Sequence, residues 1–167
     1  GYLAGTHARD KDAVVASMLI CEMAAYYKSQ GKTLIDVMNG LYDEFGYYCN
    51  TVQSYTFEGA AGMEKMAAII DGFRDNKPSS FAGYEVTKID DYKTSKSTIV
   101  KTGEESEITL PKSNVLAYTL TNGNKVIVRP SGTEPKIKAY ITAIGQSEEN
   151  AKEIAQRLLN DANELMK

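Results

Sequence analysis

Apolar residues recur at helical spacing in two opening stretches. The first predicts a helix over residues 10–31, with Asp10 and Asp12 placing negative charge at its positive end and Gly31 stopping it. Val14, Val15, Met18, Leu19, Ile20 and Cys21 make it apolar nearly all round. Such a helix is normally covered on several sides, so Cys21 is expected as a buried free thiol. A second helix over residues 33–45 repeats Leu34, Val37, Met38, Leu41 and Phe45, with Thr33 as N-cap and Gly46 as stop.

From there the period changes. Residues 47–57, rich in Tyr, Thr and Val, predict a strand, and residues 63–73 a helix whose face is Met66, Ala67, Ile70 and Phe73. A strand follows over 84–90, then a polar excursion over 92–109 that reads as an exposed loop or loose hairpin. Strands at 115–121 and 125–129 flank Asn122-Gly123, a hairpin signal because both residues tolerate positive φ. Beyond it Ile137, Ala139, Ile141 and Ala143 alternate with Lys138, Tyr140 and Thr142, the pattern of a half-buried strand. Ser147 then caps a last helix with the stripe Ala151, Ile154, Ala155, Leu158, Leu159, Ala162 and Leu165. Helices on one face of an antiparallel sheet give an α+β class, here over residues 47–167. Residues 1–46 read as the helical tail of another domain whose sheet is elsewhere.

Composition narrows the function classes. Of 167 residues 43% are hydrophobic and 25% charged, as in a globular protein, and no apolar run is long enough to cross a bilayer. A net charge of −3 argues against a nucleic-acid partner, so any anion must be gripped by a few aimed donors. Cys21, Cys49 and His7 do not make a zinc site, and two isolated cysteines fit a reducing cytoplasm. His7 reads as a surface loop residue. The opening GYLAGTHARD, without Met or a signal peptide, reads like the middle of a loop.

One loop carries more chemistry than a turn requires. Residues 129–136 read RPSGTEPK between two strands. Arg129 offers a planar fork matching two phosphate oxygens. Ser131 and Thr133 add hydroxyl donors on short stems, and Gly132 lets the backbone come close so that N–H groups converge on an anion. Pro130 and Pro135 limit the ordering entropy that binding costs. Lys136 adds a further positive charge. The same residues also describe a rigid solvated turn with a Glu134–Lys136 ion pair, and composition does not separate phosphate from sulfate or carboxylate.

The run RPSGTEPKIKAY resembles the phosphate-binding loop in the last domain of α-D-phosphohexomutases, the phosphoglucomutase and phosphomannomutase enzymes. The opening GYLAGTHARDKDAVVASMLICEMAAYYK is similar to the segment after the sugar loop of their third domain, in the bacterial phosphoglucomutase branch. The resemblance covers essentially the whole chain. It implies a TATA-box-binding-protein-like fourth domain over 47–167, preceded by the end of an α/β third domain over 1–46. It also implies a parent enzyme that interconverts hexose 1-phosphate and hexose 6-phosphate, with glucose 1,6-bisphosphate as intermediate and activator. Arg129, Ser131, Gly132 and Thr133, with Lys136 following the motif, would hold the substrate's non-reacting phosphate. The family's phosphoserine loop and magnesium-binding aspartate loop have no counterpart here, so the chain is expected to carry no catalytic or metal residue and to need the missing N-terminal domains as partners.

Overall fold

The computed structural model describes residues 2–59 and 61–166. The chain divides after Gly46 into two compact units.

In the first unit α1 (Ala13–Ser29) begins at Asp12, whose carboxylate accepts from the Val14 and Val15 amides at 3.0 and 3.1 Å. His7 sits on the surface with Nε2 3.0 Å from Asp12 Oδ2. The second helix, α2 (Leu34–Phe45), opens with a reciprocal capping box between Thr33 and Asp36 and ends at Gly46. Neither helix carries a buried residue: Val14 is 81% and Ile35 73% exposed. Cys21 is therefore exposed, contrary to the expectation from its apolar surroundings. A run that is apolar all round demands cover, and the described residues do not supply it.

The second unit is α+β. Strands β1 (Tyr47–Thr56), β3 (Tyr84–Asp91), β4 (Lys96–Ile99), β5 (Glu105–Glu107), β6 (Leu116–Leu120), β7 (Lys125–Pro130) and β8 (Lys136–Gly145) form an antiparallel sheet in the order β1-β8-β7-β6-β3-β4-β5. The two-residue β2 (Ser80–Phe81) pairs with β3. The stretch read as an exposed loop or loose hairpin contributes the antiparallel hairpin of β4 and β5. Their short polar sequences hide the strands because only pairing at the sheet edge holds them.

Helices α3 (Gly62–Asp75) and α4 (Glu148–Leu165) cover one face. Met66, Ile70 and Phe73 of α3 and Ile154, Ala155 and Leu158 of α4 join Val126, Val128, Ile137, Ala139, Ile141 and Ala143 in one core. The α4 stripe is shorter than read: Leu159 is half-buried and Leu165 exposed, while Met166 is buried in its place. The β6–β7 connection, residues 121–124, contains a three-residue turn, Thr121–Gly123, with Asn122 and Gly123 at φ 68° and 83° as their sequence predicts. The fully buried Asn124 follows it and accepts the Ile144 amide at 2.8 Å. Both helices of this unit lie on one side, so among its described residues no helix of the unit covers the other face of β1, β8 and β7.

Candidate functional site

Residues 130–136 join two strands that lie side by side in register. Arg129 pairs with Lys138, and Pro130 with Ile137. Between them the loop folds back on itself, the Ser131 amide donating to the Lys136 carbonyl and the Lys136 amide to the Glu134 carbonyl, both at 2.7 Å. The Ser131 hydroxyl oxygen accepts the Thr133 and Glu134 amides at 3.3 and 3.2 Å. One end is tied to the core: the Phe57 amide donates to the Pro135 carbonyl at 2.9 Å, and Gly62 abuts the Pro135 ring. Local closure plus one long-range anchor fixes the shape without filling the centre.

That centre is an open hollow of about 330 Å³, lined by the loop together with Lys138 and Tyr140. Its size lies at the lower end of small-ligand sites. Arg129, Gly132 and Thr133 are exposed, and Ser131 and Lys136 are partly so. All five residues singled out by sequence line it. Gly132 does not adopt a left-handed φ, and a Cβ there would meet nothing within 4 Å. Its value is therefore an uncovered amide, and no partner for that amide exists among the described residues.

The charge pattern is lopsided. Arg129 and Lys138 are direct cross-strand neighbours, an arrangement of like charges that costs stability unless an anion lies between them. Neither has a hydrogen-bond or ion-pair partner among the described residues. Lys136 adds a third cation, partly neutralised by Glu134 at 3.1 Å. A second hollow beside Arg74 is different: its charges are matched, Lys96 with Glu105 at 2.7 Å and Arg74 with Asp91 at 3.4 Å.

Two lining residues, Lys138 and Tyr140, escaped the sequence reading as the polar half of a strand. The usable signal was parity: Arg129, Lys138 and Tyr140 occupy the side of β7 and β8 opposite the alternating core residues.

Residues 82–160 match the phosphoglucomutase/phosphomannomutase C-terminal domain. The phosphoglucomutase of Staphylococcus haemolyticus is 36% identical over 160 residues, covering 96% of this chain and 28% of its own length. That of Staphylococcus epidermidis is 39% identical over 142 residues, covering 85% of this chain and 26% of its own length. Residues 82–160 belong to the phosphoglucomutase/phosphomannomutase C-terminal domain family. The chain spans little more than a quarter of the relatives it matches. The solved structure of pp63/parafusin, a phosphoglucomutase from Paramecium in its open form, superposes with a TM-score of 0.62 over 96% of this chain and 28% of its own, at 15% identity. At that identity the likeness bears on the fold alone. The phosphohexomutase match begins at Ala82, so β3 to β8 and most of α4, with the RPSGTEPK loop, lie inside it.

No three His, Cys, Asp or Glu side chains among the described residues come together to hold a metal ion. Among the described residues, the magnesium that the family implies therefore has no fitting donor set. No helix among the described residues is long and apolar enough to cross a membrane.

Proposed function

We propose that the hollow is the substrate-phosphate clamp of a phosphoglucomutase-type enzyme, gripping the phosphate that is not being transferred while hexose 1-phosphate and hexose 6-phosphate interconvert through a bisphosphorylated sugar. The carrying observation is the unpartnered Arg129–Lys138 pair across the mouth of a closed loop. A phosphate dianion between those cations relieves their repulsion and takes charge-assisted hydrogen bonds from both. The Gly132 amide is free to donate, and the long bonds from the Thr133 and Glu134 amides to Ser131 Oγ can be handed to a phosphate oxygen while the hydroxyl turns to donate as well.

The clamp acts by position. Binding energy gained on the remote phosphate holds the reacting end in place and so lowers the barrier there. An open hollow suits this task, because the bisphosphate must present either end to the transferring group in turn. On this reading the 167-residue chain works in the cytoplasm as part of a longer enzyme and has no turnover of its own.

A second reading is a non-catalytic anion-binding or structural module, favoured by the Glu134–Lys136 ion pair that already occupies one side of the loop. Titration with glucose 1,6-bisphosphate, followed by backbone amide NMR, separates the two. Shifts at Ser131, Gly132 and Thr133 that vanish in Arg129→Ala support the clamp. In the full-length enzyme the same substitution should lower kcat/KM about a hundredfold, roughly 2.7 kcal/mol. An unchanged kcat/KM would remove the loop from the mechanism.

A further inference from the structure

The open face of the sheet continues from the loop as a series of rows running across three strands. The first row is Arg129, Lys138 and Ser54. The next, one side-chain repeat further along the strands, is Ile127, Tyr140 and Val52. The third, Lys125, Thr142 and Asn50, is polar again, with Thr142 Oγ1 and Asn50 Oδ1 2.8 Å apart. An apolar row therefore lies between two polar ones, about 6.8 Å beyond the paired cations. No helix among this unit's described residues covers it.

Tyr140 stands at the centre of that row and also lines the hollow. Its ring is half-buried between Ile127 and Val52, and Val52 is 48% exposed. Its hydroxyl, like those of the half-buried Tyr84 and Tyr92, has no hydrogen-bond partner among the described residues, whereas Tyr55 and Tyr118 donate to Asn163 and to the Phe73 carbonyl. What sets Tyr140 apart is its place: at the rim of a polar hollow it presents a flat apolar face and a free polar tip together.

We infer that Tyr140 is the seat of the sugar ring: it positions a hexose phosphate by packing against the C–H face of the pyranose while its hydroxyl meets a ring hydroxyl. This rests on the clamp reading, which fixes the phosphate at the first row. A phosphate held by Arg129 and Lys138 places the attached ring over the second row, because the strand step matches the reach of a phosphoester link and half a ring. A hexose is chemically suited to the site, since it combines an apolar face with hydroxyls at its edge. Val52 and Ile127 flank the ring without offering side-chain polar atoms, so the polar contact of this row falls to Tyr140.

The test is a pair of NMR titrations of the 167-residue chain, with inorganic phosphate and with glucose 6-phosphate, on the parent, Tyr140→Ala and Tyr140→Phe. Dispersed amide spectra establish that each variant is folded. The sugar phosphate should bind the parent about fivefold to tenfold more tightly than phosphate, with Tyr140 ring resonances shifting only for the sugar. Tyr140→Ala should erase that advantage while affinity for inorganic phosphate stays within about twofold, and Tyr140→Phe should keep most of it; these are the fold-changes of an aromatic contact worth about 1 kcal/mol. Equal affinity for the two ligands, or an advantage that survives in Tyr140→Ala, overturns the role of Tyr140 and leaves the clamp standing. Absence of loop shifts with either ligand overturns the clamp and this inference together.

Discussion

Two glycines of one helix should respond to the same substitution with opposite signs. Gly62 opens α3, and a Cβ built on it would lie 2.3 Å from the Phe57 carbonyl oxygen and 3.1 Å from Pro135 Cβ. The first of these is backbone and cannot swing aside. Phe57 is also the residue whose amide holds the Pro135 carbonyl. Relieving the clash therefore moves the bond that anchors the 131–135 loop. Overpacking of this kind costs about 1–3 kcal/mol, and the upper end applies because rigid atoms are met. Alanine's better helix propensity returns up to about 1 kcal/mol, leaving a net loss of about 2 kcal/mol. At about 4 °C per kcal/mol the melting temperature of Gly62→Ala should fall by about 8 °C. Gly72, in the same helix, has open space at its Cβ position. Gly72→Ala should therefore gain about 1 kcal/mol and melt about 4 °C higher. Far-ultraviolet circular dichroism measures both. Phosphate titration adds the link to the site: Gly62→Ala should weaken loop binding several-fold, while Gly72→Ala should not. Melting of Gly62→Ala at or above the parent temperature would refute the packing argument. A large loss of stability with unchanged loop binding would refute the coupling to Pro135.

Charge and pH give further checks. Glu134→Gln removes the carboxylate beside Lys136 and should tighten phosphate binding a few-fold, with a steeper salt dependence; weaker binding would mean that Glu134 shapes the loop more than it opposes the anion. Burial holds the Tyr118 hydroxyl well above the usual tyrosine range. Its contribution to stability is therefore intact below the unfolded value of about 10 and is lost as pH rises beyond it, at up to about 1.4 kcal/mol per pH unit. Tyr118→Phe should flatten that alkaline slope in chemical denaturation, and an unchanged slope would refute the assignment. The Val15 amide, and after it His7, holds the Asp12 carboxyl below the ordinary range. The α1 cap should thus stay intact above a pH of about 4 and fray only as pH falls through the lowered value. Exchange of the Val14 and Val15 amides reads this directly, and fraying already at a pH of about 6 would count against it.

Much of this fold is written in local pattern. Thr33, Gly46, Ser147 and the Asn122-Gly123 pair act within a few residues of themselves, so they can be read without knowing what they pack against. The Ile137–Ala143 alternation likewise gives the buried side of β8 directly. The loop was legible because its residue types exceed what a turn needs. Lys138 and Tyr140 were not, since their membership of the site follows from cross-strand register, which depends on a neighbour's position as well as their own. β4 and β5 could be read no more closely than as a loop or loose hairpin for a related reason: Ser97 is buried only because the strands pair, and nothing in a polar run announces that. Cys21 misled because an apolar neighbourhood in sequence states a demand for cover without supplying it.

The pairing of β1 with β8 sets the order of events when this chain folds. Tyr47, the first residue of the second unit, lies against Gly145, and Thr56 lies against Lys136 beside the loop. Closing that pairing requires nearly all of the intervening chain, so it bears a large loop-closure entropy and belongs among the slow, non-local steps. The tie from Phe57 to Pro135 lies at the inner end of the same ladder and closes together with it. On a ribosome β1 would wait for almost the entire unit to emerge, its apolar side unprotected in the meantime. The hollow is built from the local β7–β8 hairpin, but its anchored form waits on this long-range pairing, so loop-binding affinity would report completed folding more sharply than helix content does.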